Sequence, residues 1–498
     1  MAYFLGIDFG GTVTKAGLYN TDGHELAVEE YATELLSDHA GFAERDMEQL
    51  WQAVCHVTQS VIAKACVASN EIAGIGFSSH GKGLYAIDKH GNPVRNGIVS
   101  SDTRALNQVL SWKEAGIDEK AYRKGRQQLW TGHPVSLLAW LKQNEPGNYD
   151  KIDTILMVHD YIRFRMTGER SAEITNISGS NIYNLEFGNY DTSLLADFGI
   201  EECQNKLAPI IQSAQVGGFV TAQAASQLGV AMDTPVVGGM FDVVATAVSS
   251  GLHDATVISA AAGTWSIATA LSTQIAENEH PYIWGNYCIP GQYFVHEGSP
   301  TSASNLAWWH SHLIRHLSLE QCNAFVENTQ KTLQTGTPSS LFYLPYLYGS
   351  NYQLGMPAGL LGLEGHHTDS DVVNAIYEGI VFSHLINQDK VLAVTPNAQV
   401  IRMNGGPTQS KPWMTMFASA SGLPIEISQD KQTGCKAAAI CAAVGTGYFA
   451  DFNEAMQHTY QAGTCIDPVS SQHEYLREKY QRYLALNDML SVKISGFC

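Results

Sequence analysis

The stretch FLGIDFGGTVTKAGLY, residues 4–19, contains two apolar runs separated by an acidic residue, paired glycines and alternating threonines. The segments YFLGID and TKAGLYN predict two strands, with Gly10 and Gly11 in a tight hairpin turn between them. The backbone amides of such a turn can face a phosphate group, because no side chain shields them. Hydroxyls and a cation for the same phosphate would come from Thr12, Thr14 and Lys15. Taken alone, the stretch fits a phosphate-binding hairpin and an ordinary Gly-rich hairpin equally well.

Asp8 lies at the end of the first apolar run, two residues before Gly10. A carboxylate beside bound phosphates is tolerable only where a metal ion or a proton donor offsets the repulsion. If the turn holds phosphates, Asp8 is therefore expected to face such a group. Otherwise it is a surface carboxylate of a hairpin.

A second copy of the pattern occurs in ATVISAAAGTWSIATAL, residues 255–271, where Gly263 and Thr264 form the turn. Two such hairpins, about half the chain apart, predict two similarly folded halves that face one nucleotide.

A third Gly-rich stretch, VIRMNGGPTQSKPWMTMFASASGLPI, leads from a predicted strand through Gly405 and Gly406 into a helix that begins near Ser410. Glycines at a strand-to-helix turn let a flat ring approach the backbone closely, which suits an adenine or a ribose. Any α/β protein has glycine at such corners, so only the set of three stretches is informative.

Between the two hairpins lies TPVVGGMFDVVATAVSSGL, residues 234–252. The run PVVGGM predicts a strand, and DVVATAVSSGL has helical spacing with Asp242 at or just before the first turn. Asp242 is then either a helix N-cap or, if it faces a cleft, a carboxylate that accepts a proton from a hydroxyl group.

Composition restricts the class of protein. A chain of 498 residues exceeds what one hydrophobic core usually serves, so two large domains are expected. The net charge of −19 argues against a nucleic-acid or membrane partner, because no basic run offsets phosphate repulsion.

No signal-peptide pattern and no apolar segment of about 18 residues occurs, which predicts a cytoplasmic protein. Nine scattered cysteines without a C-x-x-C pair predict reduced thiols.

The three Gly-rich stretches in this order, with PVVGGMFD between them, resemble the FGGY carbohydrate kinases of the actin-like ATPase superfamily, which include glycerol kinase and xylulokinase. The resemblance covers essentially the whole chain. It implies an α/β fold of two actin-like (ribonuclease H-like) domains with an ATP and sugar cleft between them. In AGLLGLEGHHTDSDVVNAIYEG, four residues occupy positions of a structural family signature, namely Gly362, Asp371, Ala375 and Glu378.

The resemblance implies a role for each motif. Asp8 matches the aspartate that family members place near the magnesium and the phosphates, so it is a candidate metal ligand and catalytic residue. Asp242 matches the carboxylate taken as general base, which accepts the proton as a sugar hydroxyl attacks the γ-phosphorus. The implied cofactors are ATP and Mg²⁺. Contacts with ATP are implied for Gly10, Gly11, Thr12, Thr14, Lys15, Gly263, Thr264, Gly405, Gly406 and Ser410.

Substrate choice is expected to depend on the first domain. GIGFSSHGKGLYAID carries His80, Gly81 and Lys82 where xylulokinases have a G-Q-M-H-G stretch whose Met-His pair contacts the sugar. Lys82 offers a charged donor for a hydroxyl, a keto oxygen or a carboxylate, and the alternative is a solvated surface lysine. In SSDTRA, Asp102 is a candidate for sugar hydroxyls and Arg104 for holding Asp102, although a buried structural ion pair would give the same pattern.

Two residues depart from the family pattern. Leu137 stands where a family signature expects a lysine, and Val243 follows Asp242 where many relatives have an Asn or Gln that contacts the substrate. Together with GFAERDMEQLW, HDYIRF and EITNISGSN, the motifs most resemble the L-xylulose kinase branch.

This branch implies transfer of the γ-phosphate of ATP to a ketopentose, L-xylulose to L-xylulose 5-phosphate, or to a related keto-sugar acid. D-xylulokinase, ribulokinase and glycerol kinase-like polyol kinase remain alternatives. An actin-like ATPase and a sugar sensor without phosphotransfer are alternatives from other classes.

The same landmarks predict the organisation of the chain. A first domain is expected over residues 1–245, with an inserted region at about 130–184, and a second over 246–498. The last helical stretch, SQHEYLREKYQRYLALNDML, is expected to be an amphipathic packing helix, or else a contact of a homodimer.

Overall fold

The structure is a computed structural model that describes residues 2–276, 283–332, 339–349 and 356–494. By their contacts these residues form two units. The first comprises the described residues within 1–253, 273–294 and 430–460, and the second comprises those within 254–272, 295–429 and 461–498. This grouping does not test the predicted domain boundary at residue 245, which stays a prediction. None of the described helices is both long enough and apolar enough to cross a membrane.

The described elements of the first half of the chain include thirteen strands and ten α-helices. The strands are β1 Tyr3–Phe9, β2 Val13–Tyr19, β3 Glu25–Ala32, β4 Glu44–Arg45, β5 Ile72–Ser79, β6 Gly97–Ile98, β7 Ala172–Glu173, β8 Tyr183–Asn184, β9 Asn189–Tyr190, β10 Ile210–Ile211, β11 Val216–Phe219, β12 Pro235–Val237 and β13 Met240–Phe241. The helices are α1 Met47–Ala65, α2 Leu106–Glu114, α3 Ile117–Gly125, α4 Pro134–Asn144, α5 Pro146–Tyr149, α6 Val158–Thr167, α7 Ile174–Ile177, α8 Thr192–Asp197, α9 Ala222–Leu228 and α10 Asp242–Ser249.

The described second half adds nine strands and seven helices. The strands are β14 Val257–Ala262, β15 Ser266–Ser272, β16 Ile283–Asn286, β17 Tyr293–Ser299, β18 Phe342–Leu344, β19 Gly359–Leu361, β20 Val400–Asn404, β21 Ile425–Ile427 and β22 Thr464–Ile466. The helices are α11 Ala303–His312, α12 Leu319–Thr332, α13 Asp369–Val394, α14 Lys411–Ser421, α15 Thr433–Gly445, α16 Phe452–Thr459 and α17 Ser470–Ile494.

The main sheet of the first unit has the strand order β11-β12-β5-β1-β2-β3, and β13 pairs with β5. As predicted, β1 and β2 form an antiparallel hairpin, and β1 also runs parallel to β5. Helix α15 packs on this sheet because glycines leave room for its backbone. A Cβ atom at Gly6 would lie 1.9 Å from the Cys435 carbonyl oxygen, and one at Gly76 would lie 2.1 Å from that of Ala438.

The second unit repeats this sheet. Six of its strands have the order β17-β15-β14-β20-β21-β22, which matches β3-β2-β1-β5-β12-β11 of the first unit. Each hairpin is antiparallel, and its first strand runs parallel to a later one in both units. The prediction of two similarly folded α/β halves is therefore confirmed.

The predicted single strand PVVGGM is wrong in one respect, because the structure divides it into β12 and β13. Gly239 lies between them with a φ of 97°, and the amides of Gly238 and Gly239 donate to the carbonyls of Gln215 and Ser213. A Cβ atom at Gly238 would lie 2.5 Å from the Gln212 carbonyl oxygen. The glycine pair thus leaves the ladder to pack against a neighbouring loop.

The family signature of the second unit makes structural contacts. Gly362 has a φ of 82°, and a Cβ atom there would lie 2.1 Å from the Ser340 carbonyl oxygen. Asp371 accepts a hydrogen bond of 2.8 Å from the Thr368 amide at the start of α13. Glu378 forms a buried ion pair with Lys479 of α17.

The C-terminal helix and the cysteines agree with their predicted roles. Helix α17 buries one face, which includes Tyr475, Leu476, Tyr480 and Tyr483. The eight cysteines among the described residues are all free thiols. Cys498 lies outside the described residues.

Candidate active site

Asp8 lies directly opposite Lys15 across the hairpin of β1 and β2. Burial raises the pKa of Asp8, while the Ser78 hydroxyl and the Lys15 ammonium group oppose the rise. The first turn of α15 reaches the same carboxylate, since a Cβ atom at Gly434 would lie 2.5 Å from its Cγ atom. A helix N-terminus favours a negative charge, so the surroundings of Asp8 combine burial with three groups that stabilise the ionised form.

The turn of this hairpin is closed by a hydrogen bond of 3.0 Å from the Gly10 amide to the Val13 carbonyl. Arg45, which is 1% exposed, donates from Nη2 to the carbonyls of Gly10 and Gly11 and so fixes the direction of these two peptide groups. Sequence reasoning missed Arg45, although the quoted stretch GFAERDMEQLW contains it. Thr14 is fully buried, and its predicted contact with ATP stays a prediction.

The second hairpin and the third Gly-rich stretch come together in the second unit. Gly405 has a φ of 108°, and a Cβ atom there would lie 2.2 Å from the carbonyl oxygen of Ala262, which precedes Gly263. The backbone of the third stretch therefore contacts the start of the second turn. Helix α14 begins at Lys411, and Ser410 caps it with a hydrogen bond of 3.3 Å from the Trp413 amide. The predicted helix start near Ser410 is confirmed.

Asp242 is the first residue of α10, where the sequence predicts it. Burial raises the pKa of its carboxyl group to about 7, and the nearby Asp8 carboxylate adds to the rise. The Val243 amide and the Lys82 ammonium group act in the opposite direction. The structure thus brings Asp242 within electrostatic range of both Asp8 and Lys82. A carboxylate with a pKa near neutrality is suited to accept a proton at physiological pH.

Lys82 lies in a turn with the left-handed backbone that non-glycine residues rarely adopt, with a φ of 66°. Its amide donates to Asn176 Oδ1 at 2.9 Å, and the next amide, that of Gly83, donates to the Gly132 carbonyl at 2.9 Å. Burial lowers the pKa of the Lys82 amine to about 8, and Asp242 opposes this effect. Lys82 is therefore a half-buried cation held beside a carboxylate, which disagrees with a solvated surface lysine.

Two histidines lie near this turn. Burial lowers the pKa of His80 to about 3, so its ring is neutral, and its Nε2 atom lies 3.4 Å from the Tyr85 hydroxyl. Sequence reasoning missed His133, which is 1% exposed and follows Gly132. Its Nδ1 atom faces the Trp130 amide at 3.2 Å and the Asn181 side-chain amide at 2.9 Å.

Two N–H donors at Nδ1 of His133 require the ring proton to be on Nε2. Among the described residues this Nε2 group has no hydrogen-bond partner. Burial, with the Lys82 cation nearby, also holds the pKa of His133 well below its usual value. His133 therefore offers a neutral, unpaired donor close to Lys82.

Asp102 and Arg104 form a buried ion pair. The Asp102 carboxylate accepts from the Ala43 amide at 2.7 Å and from the Arg104 amide, Nε and Nη2 at 2.8 to 2.9 Å. Arg104 also lies over the Phe42 ring, 4.0 Å from its centroid, and donates to Glu44. These contacts occupy the carboxylate and are what a structural ion pair requires. A sugar contact of either residue stays a prediction.

The two departures from the family pattern have different surroundings. Leu137 is fully buried in an apolar cluster that includes Leu138, Leu141 and Ile182. This cluster explains why an apolar side chain occupies the position. Val243 is half-buried in the first turn of α10.

Asp8 suits a Mg²⁺ ion that would be bound mainly through ATP. The described residues contain no group of three or more His, Cys, Asp or Glu side chains that could hold a metal by themselves. Mg²⁺ usually binds to one or two carboxylates, to water and to substrate phosphates. Burial raises the pKa of Asp8, so a bound cation would stabilise its ionised carboxylate, which could serve as a metal ligand. The residues present therefore fit the ion.

Residues 3–249 match the N-terminal domain of the FGGY family of carbohydrate kinases, and residues 258–446 match its C-terminal domain. The chain belongs to this family. It is accordingly an ATP-dependent carbohydrate kinase with the two-domain fold of that family.

Three comparisons describe its relatives. The chain is 42% identical to the L-xylulose/3-keto-L-gulonate kinase of Escherichia coli (strain K12), over 97% of this chain and 96% of that protein. It is 41% identical to the probable L-xylulose kinase of Pasteurella multocida, over 99% of this chain and 100% of that protein. The crystal structure of a xylulose kinase from Lactobacillus acidophilus matches the fold with a TM-score of 0.92, at 22% identity and with both chains fully covered.

Proposed function

We propose that this kinase transfers the γ-phosphate of ATP to the 5-hydroxyl of L-xylulose, with Asp242 as general base. The observation that carries the proposal is the placement of Asp242 at the start of α10, within electrostatic range of Asp8 and Lys82. Relatives named as L-xylulose kinases, at about 40% identity over nearly the full chain, support the choice of sugar. A keto-sugar acid, which the name of one relative includes, is the second candidate substrate.

The proposed reaction needs a proton acceptor and charge neutralisation more than covalent chemistry. Asp242, with a pKa of about 7, takes the proton of the sugar hydroxyl as its oxygen attacks the γ-phosphorus. The bond from this phosphorus to the β,γ-bridging oxygen breaks, and the electron pair leaves with ADP. The turn amides after Gly10 and those around Gly263 are the proposed phosphate contacts. Ser410 and the backbone at Gly405 and Gly406 are the proposed adenosine contacts.

Asp8 is the proposed ligand of Mg²⁺, which would be carried by the ATP phosphates and would neutralise their charge. Lys15 lies opposite Asp8 on the neighbouring strand, so its ammonium group would add a positive charge to that of Mg²⁺.

Lys82 and His133 are the proposed donors to the sugar. Both present N–H groups, and a keto oxygen or a carboxylate accepts hydrogen bonds without donating any. The unpaired Nε2 donor of His133, with the Lys82 cation in electrostatic range, thus matches a ketose, or a keto acid, better than a simple polyol. His80, with its ring close to the Tyr85 hydroxyl, is a further proposed contact. The cytoplasmic location, the lack of nucleic-acid and membrane partners and a homodimer stay predictions.

A substrate panel tests the proposal. Initial rates of sugar-dependent ADP release are measured with L-xylulose, D-xylulose, L-ribulose, glycerol and a 3-keto-aldonate at saturating magnesium ATP. The highest kcat/KM is expected for L-xylulose. A preference for D-xylulose or glycerol contradicts the proposed substrate, and ADP release that is independent of any sugar contradicts the proposed phosphotransfer to sugar.

The variant Asp242→Asn tests the proposed base. We expect kcat to fall ~10²–10⁴-fold while sugar binding is largely kept, because general-base catalysis typically supplies that factor. The matched control is Glu119→Gln, which removes an exposed carboxylate of α3 and is expected to keep full activity. A variant Asp242→Asn with unchanged kcat would place the base elsewhere.

A further inference from the structure

Glu173, at the start of α7, is fully buried, and its carboxylate accepts four hydrogen bonds. The donors are the Thr175 amide at 2.9 Å, the Thr175 hydroxyl at 2.7 Å, the Asn176 amide at 3.0 Å and the Ser213 hydroxyl at 2.7 Å. One carboxylate therefore fixes both the backbone and a side chain of the short α7 helix.

Thr175 connects this helix to the segment that carries Asp242. Its single hydroxyl hydrogen is donated to Glu173, so its oxygen is left to accept, and it accepts from the Phe241 amide at 2.9 Å. Phe241 immediately precedes Asp242 and is the N-cap residue of α10. The direction in which α10 begins, and with it the position of the Asp242 carboxylate, therefore depends on the Thr175 hydroxyl.

Asn176 connects the same helix to Lys82. Its backbone amide is held by Glu173, and its side-chain oxygen accepts from the Lys82 amide at 2.9 Å. Because the left-handed backbone of Lys82 is unfavourable for a residue with a side chain, the surroundings have to hold it in place. The Asn176 side chain supplies one of these contacts.

The two connected segments also contact each other. A Cβ atom at Gly81 would lie 2.5 Å from the Phe241 ring, so the turn before Lys82 packs directly on the residue before Asp242. Strand β13 pairs with the end of β5, with Phe241 opposite Ser79. The two segments thus pack on each other as well as on α7.

We propose that Glu173, Thr175 and Asn176, here named the α7 clamp, set the distance and direction between the Asp242 carboxylate and the Lys82 amine. The inference rests on the proposed function, in which both groups act on the same sugar. Asp242 takes the proton of the reacting hydroxyl, and Lys82 donates a hydrogen bond to the sugar. The members of the α7 clamp are positioning residues, because their hydrogen bonds go to backbone amides and to the hydroxyls of Thr175 and Ser213. Thr175 acts through Asp242 and hence on kcat, whereas Asn176 acts through Lys82 and hence on the KM for the sugar.

Substitutions that keep the approximate shape of Thr175 or Asn176 test these two effects separately. Thr175→Val removes the hydroxyl and keeps the shape, and we expect kcat to fall ~10²-fold with the sugar KM changed less than about threefold, because a misplaced base loses the reactive geometry. Thr175→Ser keeps the hydroxyl and is expected to restore kcat to within about threefold of the wild type. Asn176→Leu removes the acceptor and is expected to raise the sugar KM ~10-fold or more with a smaller change in kcat. Asn176→Asp keeps the acceptor and is its matched variant.

The measured kcat and KM values distinguish the proposed role of the α7 clamp from an effect on stability alone. They also distinguish failure of this inference from failure of the proposed function. Loss of stability alone would lower the active fraction in both variants and leave KM unchanged in both, which overturns the inference. An unchanged kcat in Thr175→Val also overturns it. If that variant does not fold, Thr175→Cys, with its weaker acceptor, replaces it and is expected to lower kcat in the same direction. A wild-type enzyme without sugar-dependent ADP release would contradict the proposed function itself.

Discussion

The two Gly-rich hairpins share a fold and differ in charge. The turns are closed by Phe9 opposite Thr14 in the first unit and by Ala262 opposite Ser266 in the second. One position further from the turn, the first hairpin has Asp8 opposite Lys15, whereas the second has Ala261 opposite Ile267. The same topology therefore presents a carboxylate opposite an ammonium group in one unit and two apolar side chains in the other.

This difference shows which part of the motif the backbone supplies. Both turns contain glycine, and the backbone amides of glycine-containing turns can contact a phosphate. Only the first hairpin adds ionisable groups, and Asp242 and Lys82 belong to the same unit. Under the proposed function, the first unit would therefore carry the metal and proton chemistry, and the second would contribute backbone contacts to the nucleotide.

Gly434→Ala is expected to show how tightly the first hairpin depends on its surroundings. The added methyl group would lie 2.5 Å from the Asp8 carboxylate, so the carboxylate or α15 must move. A displacement of about 1 Å at a reacting centre can lower the rate ~10²-fold, and we expect kcat to fall by that factor. The control is Gly147→Ala, where a Cβ atom has no neighbour within 4 Å. Equal kcat values for both variants would mean that kcat does not depend on the position of the Asp8 carboxylate.

The pH dependence of kcat/KM tests the ionisable groups of the first unit. Asp242 accepts a proton only as carboxylate, so the rate is expected to fall below its pKa of about 7. Lys82 is a cation only below its pKa of about 8, so the rate is expected to fall again above that value. Each side should fall about tenfold per pH unit. The measurement is a profile of sugar-dependent ADP release from about pH 5 to pH 10.

Lys82→Met sharpens the assignment of this profile. The alkaline fall is expected to disappear, and the acidic fall should move to higher pH, because the Lys82 cation lowers the pKa of Asp242. A profile identical to that of the wild type would show that neither group controls the rate.

Thr264→Ala is expected to have the smallest effect. Thr264 is exposed in the second turn, and the contact proposed there comes from backbone amides that the substitution keeps. Exposed substitutions usually change free energies by about 0.5 kcal/mol or less, which is a factor of roughly two in the KM for ATP. Titration of ATP at saturating sugar measures this factor. A tenfold rise in the KM for ATP would mean that the Thr264 side chain itself contacts ATP, which contradicts a contact made by backbone amides alone.

Local features of the sequence predicted the hairpins, the start of α10 at Asp242 and the repeated order of elements. Apolar runs and glycines determine such features within a few residues. Long-range contacts could not be predicted in the same way. The approach of Gly434 to Asp8 joins residues from opposite ends of the chain, and the break at Gly239 depends on a loop that packs beside it.

Side-chain pairing set the other limit. The sequence left Asp102 open between a sugar contact and an ion pair, and the four donors around its carboxylate became visible only in three dimensions. His133 gave no local signal, because its tautomer depends on Trp130 and Asn181. Arg45 and the α7 clamp were likewise contained in quoted stretches, yet their partners lie on other segments.

We infer that the first hairpin supplies charged groups to the reaction and that the second hairpin does not. Matched substitutions at corresponding positions, Asp8→Asn and Ala261→Asn, test it by the kcat of sugar-dependent ADP release at saturating magnesium ATP, with circular dichroism to confirm folding. We expect Asp8→Asn to lower kcat ~10³-fold, because it removes a charge-stabilising group, and Ala261→Asn to keep kcat within about threefold. Full activity of Asp8→Asn, or an equal loss in both variants, would contradict this difference between the two hairpins.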